Sequence, residues 1–188
     1  MGGRTLMSFL NNYPEYEEII KGVILLDIAP IDYINDRSFT WPIELWLLLV
    51  DLQTLKLNQT NYQKIKEKIT KIVPNKGFID IMMHNIYQDE DPSNYKLKFN
   101  LKAIIENFKE LNSYKPPAKG NLYKGKRLVV VGERSDYAPG KSFDSFNEIF
   151  HEFNKEKEVV LVKNAGHFIH VDQPKELMTL INEFIDGV

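Results

Sequence analysis

Two stretches of this sequence hold residue types that could do chemistry. Near the C-terminus, Asn164-Ala165-Gly166-His167-Phe168-Ile169-His170-Val171-Asp172 sets a histidine directly after a glycine and a short aliphatic run. Imidazole can take and return a proton near neutral pH, and the glycine before it lets the backbone turn tightly. Such a base needs an acid to orient it. Asp27 ends the run Gly22-Val-Ile-Leu-Leu-Asp27, and Asp136 lies in Gly132-Glu-Arg-Ser-Asp-Tyr137. Spacing alone leaves the choice between these two acids open. At the other end, Met1-Gly2-Gly3-Arg4 offers paired glycines, which allow a helix to pack closely under a strand-turn-helix bend.

Other candidates fall away on chemistry. The chain has no cysteine, which excludes disulfides, thiolate metal sites and a cysteine nucleophile. His84 and His151 stand in helical stretches without partners at metal spacing. His167 and His170 form His-x-x-His on a loop, which lacks the helical His-Glu-x-x-His geometry. No metal or cofactor site is therefore expected. Lys64–Lys71 reads as a solvated helix face. Trp41, Trp46, Met82 and Met83 read as residues that pack or line a helical segment. No Gly-x-Ser-x-Gly occurs anywhere in the chain.

The elements that must position His167 are strands and helices in alternation. Gly22–Asp27, Arg127–Gly132 and Glu158–Lys163 are short aliphatic runs with apolar residues at consecutive positions, as parallel strands covered on both faces require. Three amphipathic stretches flank them. Thr5–Asn12 puts Leu6, Met7 and Leu10 on one face, Phe143–Phe153 puts Phe143, Phe146, Ile149, Phe150 and Phe153 on another, and Lys175–Ile185 puts Leu177, Leu180, Ile181, Phe184 and Ile185 on a third. Pro174 suits the first turn of the last of these. The fold class expected is α/β. Between the first two strands, Ile43–Leu55, Asn61–Ile72, Lys76–Ile86 and Leu101–Leu111 read as four helices. Asp89–Asn94 is a turn-rich break and 115–120 a linker. An all-helical insertion here is expected to be a lid over the strand C-terminal ends, where ligands bind in open α/β sheets.

Composition bounds the function classes. The 188 residues are 43% hydrophobic and 27% charged, the balance of a globular domain with its own core. A formal net charge of -2 gives no general attraction to nucleic acid. The longest apolar run, around Trp46–Val50, is far short of a membrane span. Residues 1–20 lack a targeting pattern. The lack of cysteine suits a reducing or organellar compartment, and the location expected is cytoplasmic or mitochondrial.

These strings together resemble the α/β-hydrolase superfamily, nearest to the YbfF-type esterases and the mitochondrial α/β-hydrolase-domain proteins. The markers are Met1-Gly-Gly-Arg4, Leu26-Asp-Ile-Ala-Pro-Ile-Asp-Tyr33, His84-Asn-Ile through Phe99-Asn-Leu-Lys-Ala103, Val131-Gly-Glu-Arg-Ser-Asp-Tyr137 and Asn164-Ala-Gly-His-Phe-Ile-His-Val-Asp-Gln-Pro174. The resemblance implies the last three parallel strands of that fold with flanking helices and a helical lid. It divides the chain into core (1–37), lid (38–118) and core (119–188). It implies a serine carboxylic ester or thioester hydrolase acting on a small acyl substrate, with His167 as base. In this branch the acid is the Asp of Asp-Ile-Ala-Pro, here Asp27. The usual acid position, three after Gly132, is Ser135, which leaves Asp136 as runner-up. The nucleophile serine would precede Met1, Met1 would supply one oxyanion-hole N–H, and Trp41, Trp46 and Met83 would shape the acyl pocket. The missing N-terminal half is then a partner. The alternative is a non-catalytic truncated product, or one half of a split hydrolase acting as a binding module.

Overall fold

The computed structural model describes residues 1–36, 39–54, 57, 61–72, 76–114 and 122–187. The expected linker at 115–120 and the expected edges at 37/38 and 118/119 lie outside the described residues. The chain forms two compact units, Met1–Asp32 with Tyr114–Val188, and Tyr33–Ser113. In chain order the elements begin with α1 (Gly2–Asn12), a 3-10 helix (Pro14–Ile19) and β1 (Gly22–Leu26). Then follow α2 (Trp41–Thr54), α3 (Tyr62–Ile72), α4 (Lys76–His84), β2 (Ile86–Gln88), β3 (Tyr95–Leu97), α5 (Leu101–Glu106) and α6 (Phe108–Asn112). The last group is β4 (Lys126–Gly132), a 3-10 helix (Gly140–Glu148), α7 (Lys155–Glu158), β5 (Val159–Val162), α8 (Ile169–Asp172) and α9 (Pro174–Asp186).

The first unit holds a parallel sheet in the order β1-β4-β5. Gly22 pairs with Lys126 and Leu26 with Val130, while Val129 pairs with Val159 and Gly132 with Val162. The central strand is buried from Leu128 to Gly132, which is why its sequence is uniformly apolar rather than alternating. On one face α9 places Leu177, Leu180, Ile181 and Phe184 at helical spacing against Ile24, Leu128, Val130, Val160 and Val162. Leu177 and Phe184, which are buried, each contribute about 1.5–3 kcal/mol by leaving water, and the half-buried Leu180 and Ile181 contribute less. Pro174 occupies the first turn, where its missing N–H costs nothing. In α1, Met7 and Leu10 are buried. The helix starts at Gly2, and a Cβ on Gly3 would stand 2.4 Å from Ile28 Cγ2. The N-terminal end of α1 therefore lies against the chain just past β1, at the C-terminal end of that strand.

The stretch Phe143–Phe153 departs from the expected α-helix. It is a 3-10 helix to Glu148, after which Phe150 bridges to Tyr123. Ser142 Oγ donates to Pro139 O at 2.7 Å and Asn147 Nδ2 to Asp144 O at 2.9 Å, local bonds that compete with the α ladder. Phe143, Phe146 and Ile149 are spaced by three, so a 3-10 turn keeps them on one face.

The second unit has its own core, built from Leu48, Leu52, Ile65, Ile69, Met82 and Phe108 among others. It is not all-helical. Ile86 pairs with Leu97 and Gln88 with Tyr95 in an antiparallel hairpin. The turn-rich Asp89–Asn94 is its loop, closed by Asp89 N–H to Asn94 O at 2.9 Å and Ser93 N–H to Asp91 Oδ1 at 2.9 Å. Three-residue strands are too short to show alternation in sequence. The helix expected over Leu101–Leu111 is broken at Asn107, whose Nδ2 donates back to Ala103 O at 2.9 Å.

Candidate active site

His167 and Asp27 meet. His167 Nδ1 lies 2.7 Å from Asp27 Oδ2, with Asp27 fully buried and the imidazole side chain 33% exposed. A carboxylate has no proton to give, so the imidazole donates from Nδ1 and keeps the lone pair of Nε2 free. That is the tautomer a general base needs.

The sequence builds this pair from three strand ends. Asp27 follows β1 with φ at 51°, a left-handed conformation that aspartate tolerates better than most residues. Its N–H donates to Val130 O at 2.7 Å, continuing the β1–β4 ladder while the side chain turns across the end of β4. There Gly132 N–H donates to Asp27 Oδ1 at 3.0 Å, and Ser135 Oγ donates to Asp27 Oδ2. Three donors thus converge on one buried carboxylate, as burial of a charge demands. Ser135 braces the acid, whereas an activated nucleophile would be bonded to Nε2.

The loop after β4 is laced to the loop after β5. Glu133 N–H donates to Val162 O at 3.0 Å and Arg134 N–H to Ala165 O at 2.9 Å. Asn164 N–H donates to Glu133 Oε2 at 2.9 Å, and Gly166 N–H to Asp172 Oδ2 at 2.7 Å. The loops approach so closely at Gly132 that a Cβ there would stand 2.3 Å from Gly166 O and 2.8 Å from Ala165 O. Only glycine fits, and the fit carries His167 to Asp27. Tyr137 completes the surroundings, its ring stacked on the imidazole with centroids 3.6 Å apart and planes 15° from parallel.

The remaining sequence candidates are placed as follows. Asp136 is exposed, one residue past Ser135. Met1 precedes the first residue of α1, in the N-cap position. Trp46 lines an apolar cavity of about 550 Å³ in the second unit with Tyr33, Phe39, Pro42, Ile43 and Phe108. Trp41 packs edge-on against Tyr33, centroids 5.2 Å apart. Met83 is instead buried in the core of that unit, and lines a separate hollow with Tyr62, Lys66, Asp80, His84 and Ile86. His84 Nδ1 is 2.7 Å from Asp80 O on its own helix, and His170 is exposed. Among the described residues no group of three His, Asp or Glu side chains is placed to hold a metal ion. Among them, too, no helix is long and apolar enough to cross a membrane.

Sequence reasoning identified Ser135 only as the residue standing at the usual acid position. Its bond to Asp27, the stack of Tyr137 on His167 and the brace from Asp172 were not visible. The one signal available was that Gly132, Ser135 and Tyr137 follow a buried strand on one short loop.

No family model matches the chain. The mouse protein "sn-1-specific diacylglycerol lipase ABHD11" is 20% identical over 186 residues, covering 98% of this chain and 56% of the relative. The Xenopus tropicalis protein of that name is 22% identical over 187 residues, covering 100% and 55%. The solved structure of a marine microorganism esterase matches with a TM-score of 0.80 at 24% identity, over 97% of this chain and 66% of that one. The three parallel strands, their helices and the likeness to this structure show that the chain carries part of the α/β-hydrolase fold. The chain spans about half the length of the curated relatives it matches.

Proposed function

We propose that the chain carries the proton-transfer half of a serine carboxylic ester hydrolase, with esters or thioesters of small acyl groups as substrates. The reading rests on one observation, the 2.7 Å contact between His167 Nδ1 and a fully buried Asp27. It is supported by relatives and neighbours named as a lipase and an esterase.

In this mechanism His167 Nε2 takes the proton of a serine hydroxyl as the serine oxygen attacks the acyl carbonyl. Asp27 holds the ring and stabilises the imidazolium that forms. The proton then passes to the leaving oxygen or sulfur, leaving an acyl-serine. A water, deprotonated by the same imidazole, attacks that acyl group, and the proton returns to the serine as the acid departs. The serine is proposed to lie immediately upstream of Met1. In a chain so extended the Met1 peptide N–H, at the positive end of α1, would face the developing oxyanion. The apolar cavity beside Trp46 is proposed as the acyl site, with Trp41 supporting Tyr33 on its wall, and its volume falls in the range of small-molecule pockets.

A chain extended upstream of Met1 should hydrolyse p-nitrophenyl esters, and His167→Ala should lower kcat at least about 1,000-fold. An extended chain that hydrolyses no ester would leave the alternative, a binding piece of a split or truncated hydrolase.

A further inference from the structure

We infer that Tyr137 is a positioning residue for His167, fixing the plane of the imidazole through its stacked ring. The inference rests on His167 being the general base. Asp27 grips the imidazole at one nitrogen only, 2.7 Å from Nδ1. A ring held by one hydrogen bond can still swing about that bond, which would sweep Nε2 away from its proton donor. The Tyr137 ring lies over the imidazole at 3.6 Å and 15°, so a swing in that direction meets the tyrosine face. Phe168 meets the imidazole at a steep angle, with centroids 5.2 Å apart and planes at 62°, so it does not lie parallel on the ring as Tyr137 does.

Tyr137 is itself anchored to the acid. Its backbone N–H donates to Ser135 Oγ at 3.2 Å, and Ser135 Oγ donates to Asp27 Oδ2, the oxygen that accepts from His167. Residues 135–137 therefore hold the imidazole twice, by its edge through Asp27 and by its face through Tyr137. When His167 takes a proton, the tyrosine ring also presents its electron-rich face to the new cation. Both effects call for an aromatic ring at this position and neither requires the phenol hydroxyl.

The test has two readouts. In the 188-residue chain with ¹⁵N-labelled histidine, the Nδ1–H resonance of His167 is followed by NMR and its exchange with water measured. Wild type and Tyr137→Phe should give the same sheltered resonance. Tyr137→Leu and Tyr137→Asn, with amide spectra otherwise unchanged, should exchange about 2- to 10-fold faster, on the strength of one lost aromatic contact. In the extended, esterase-active chain the same ringless variants should lower kcat about 5- to 20-fold with KM within about twofold, and Tyr137→Phe should restore it. Unchanged exchange and unchanged kcat in both ringless variants would overturn the inference. Loss of all esterase activity, wild type included, would overturn the general-base reading instead, and the exchange measurement would still decide whether Tyr137 holds the ring.

Discussion

Replacing Asp27 by alanine and by asparagine separates the work this residue does for the fold from its work on His167. Alanine loses on two counts. It must adopt the φ of 51° without a polar side chain, at about 1 kcal/mol. It also leaves Gly132 N–H buried without its 3.0 Å acceptor, at about 1–3 kcal/mol. Ser135 and His167 are partly exposed and can turn to water, so their loss adds little. Asp27→Ala should therefore destabilise by about 2–4 kcal/mol, or roughly 4–16 °C in melting temperature for a chain of this size. Asparagine tolerates the same φ and keeps an acceptor for Gly132, so its cost should stay near 1 kcal/mol. Its amide, however, faces His167 Nδ1 as a donor. The imidazole must then carry its proton on Nε2 and can no longer accept one there, so activity of the extended chain should fall about 10⁴-fold. Urea and thermal unfolding of both variants, with esterase assays on the extended chain, give the comparison. Equal destabilisation by the two substitutions, or an active Asp27→Asn, would refute the reasoning.

Other substitutions test the surroundings. Gly132→Ala drives a Cβ to 2.3 Å from Gly166 O, a backbone atom that cannot rotate aside, so the His167 loop must shift. A loss of about 2–4 kcal/mol in urea unfolding is expected, together with loss of the sheltered His167 Nδ1–H resonance. Ser135→Ala removes one of three donors to Asp27 and should cost about 0.5–1.5 kcal/mol in the same assay. The Tyr114 phenol is pushed up to about 12 from 10.0, first by burial, then by Glu148, with Arg4 opposing. A folded-state value above the unfolded one contributes stability that is complete below pH 10 and lost as pH rises towards 12. Its hydroxyl is buried without a hydrogen-bond partner among the described residues, so Tyr114→Phe should hold or raise stability at pH 7 and flatten the alkaline decline measured by unfolding between those values.

The sheet was legible because its signal is strong and local. Runs such as Leu128–Val131 are aliphatic at every position, short and rich in β-branched valine, as strands covered on both faces require. The stripe of α9 was equally plain. The hairpin β2–β3 was hidden because its strands are three residues long, and its turn looked like any break between helices. The 3-10 form of Gly140–Glu148 depended on side-chain bonds from Ser142 and Asn147 that apolar periodicity does not report. At the site, His167 stood out from the string around it. Asp27 stood out only through the resemblance carried by Asp27-Ile-Ala-Pro30, because a strand-end aspartate by itself has ordinary structural uses. What joins it to His167 is the left-handed turn at Asp27 and the glycine-only approach of two loops, neither of which spacing along the chain encodes.

The central claim is that His167, oriented by Asp27, serves a serine lying just upstream of Met1. Its most direct test is reaction of the upstream-extended chain with a fluorophosphonate, followed by mass-spectrometric mapping of the modified residue. The account expects one phosphonylated serine, upstream of Met1, with labelling abolished in His167→Ala. A label on Ser135 or any other serine within residues 1–188, or labelling that survives His167→Ala undiminished, would contradict it.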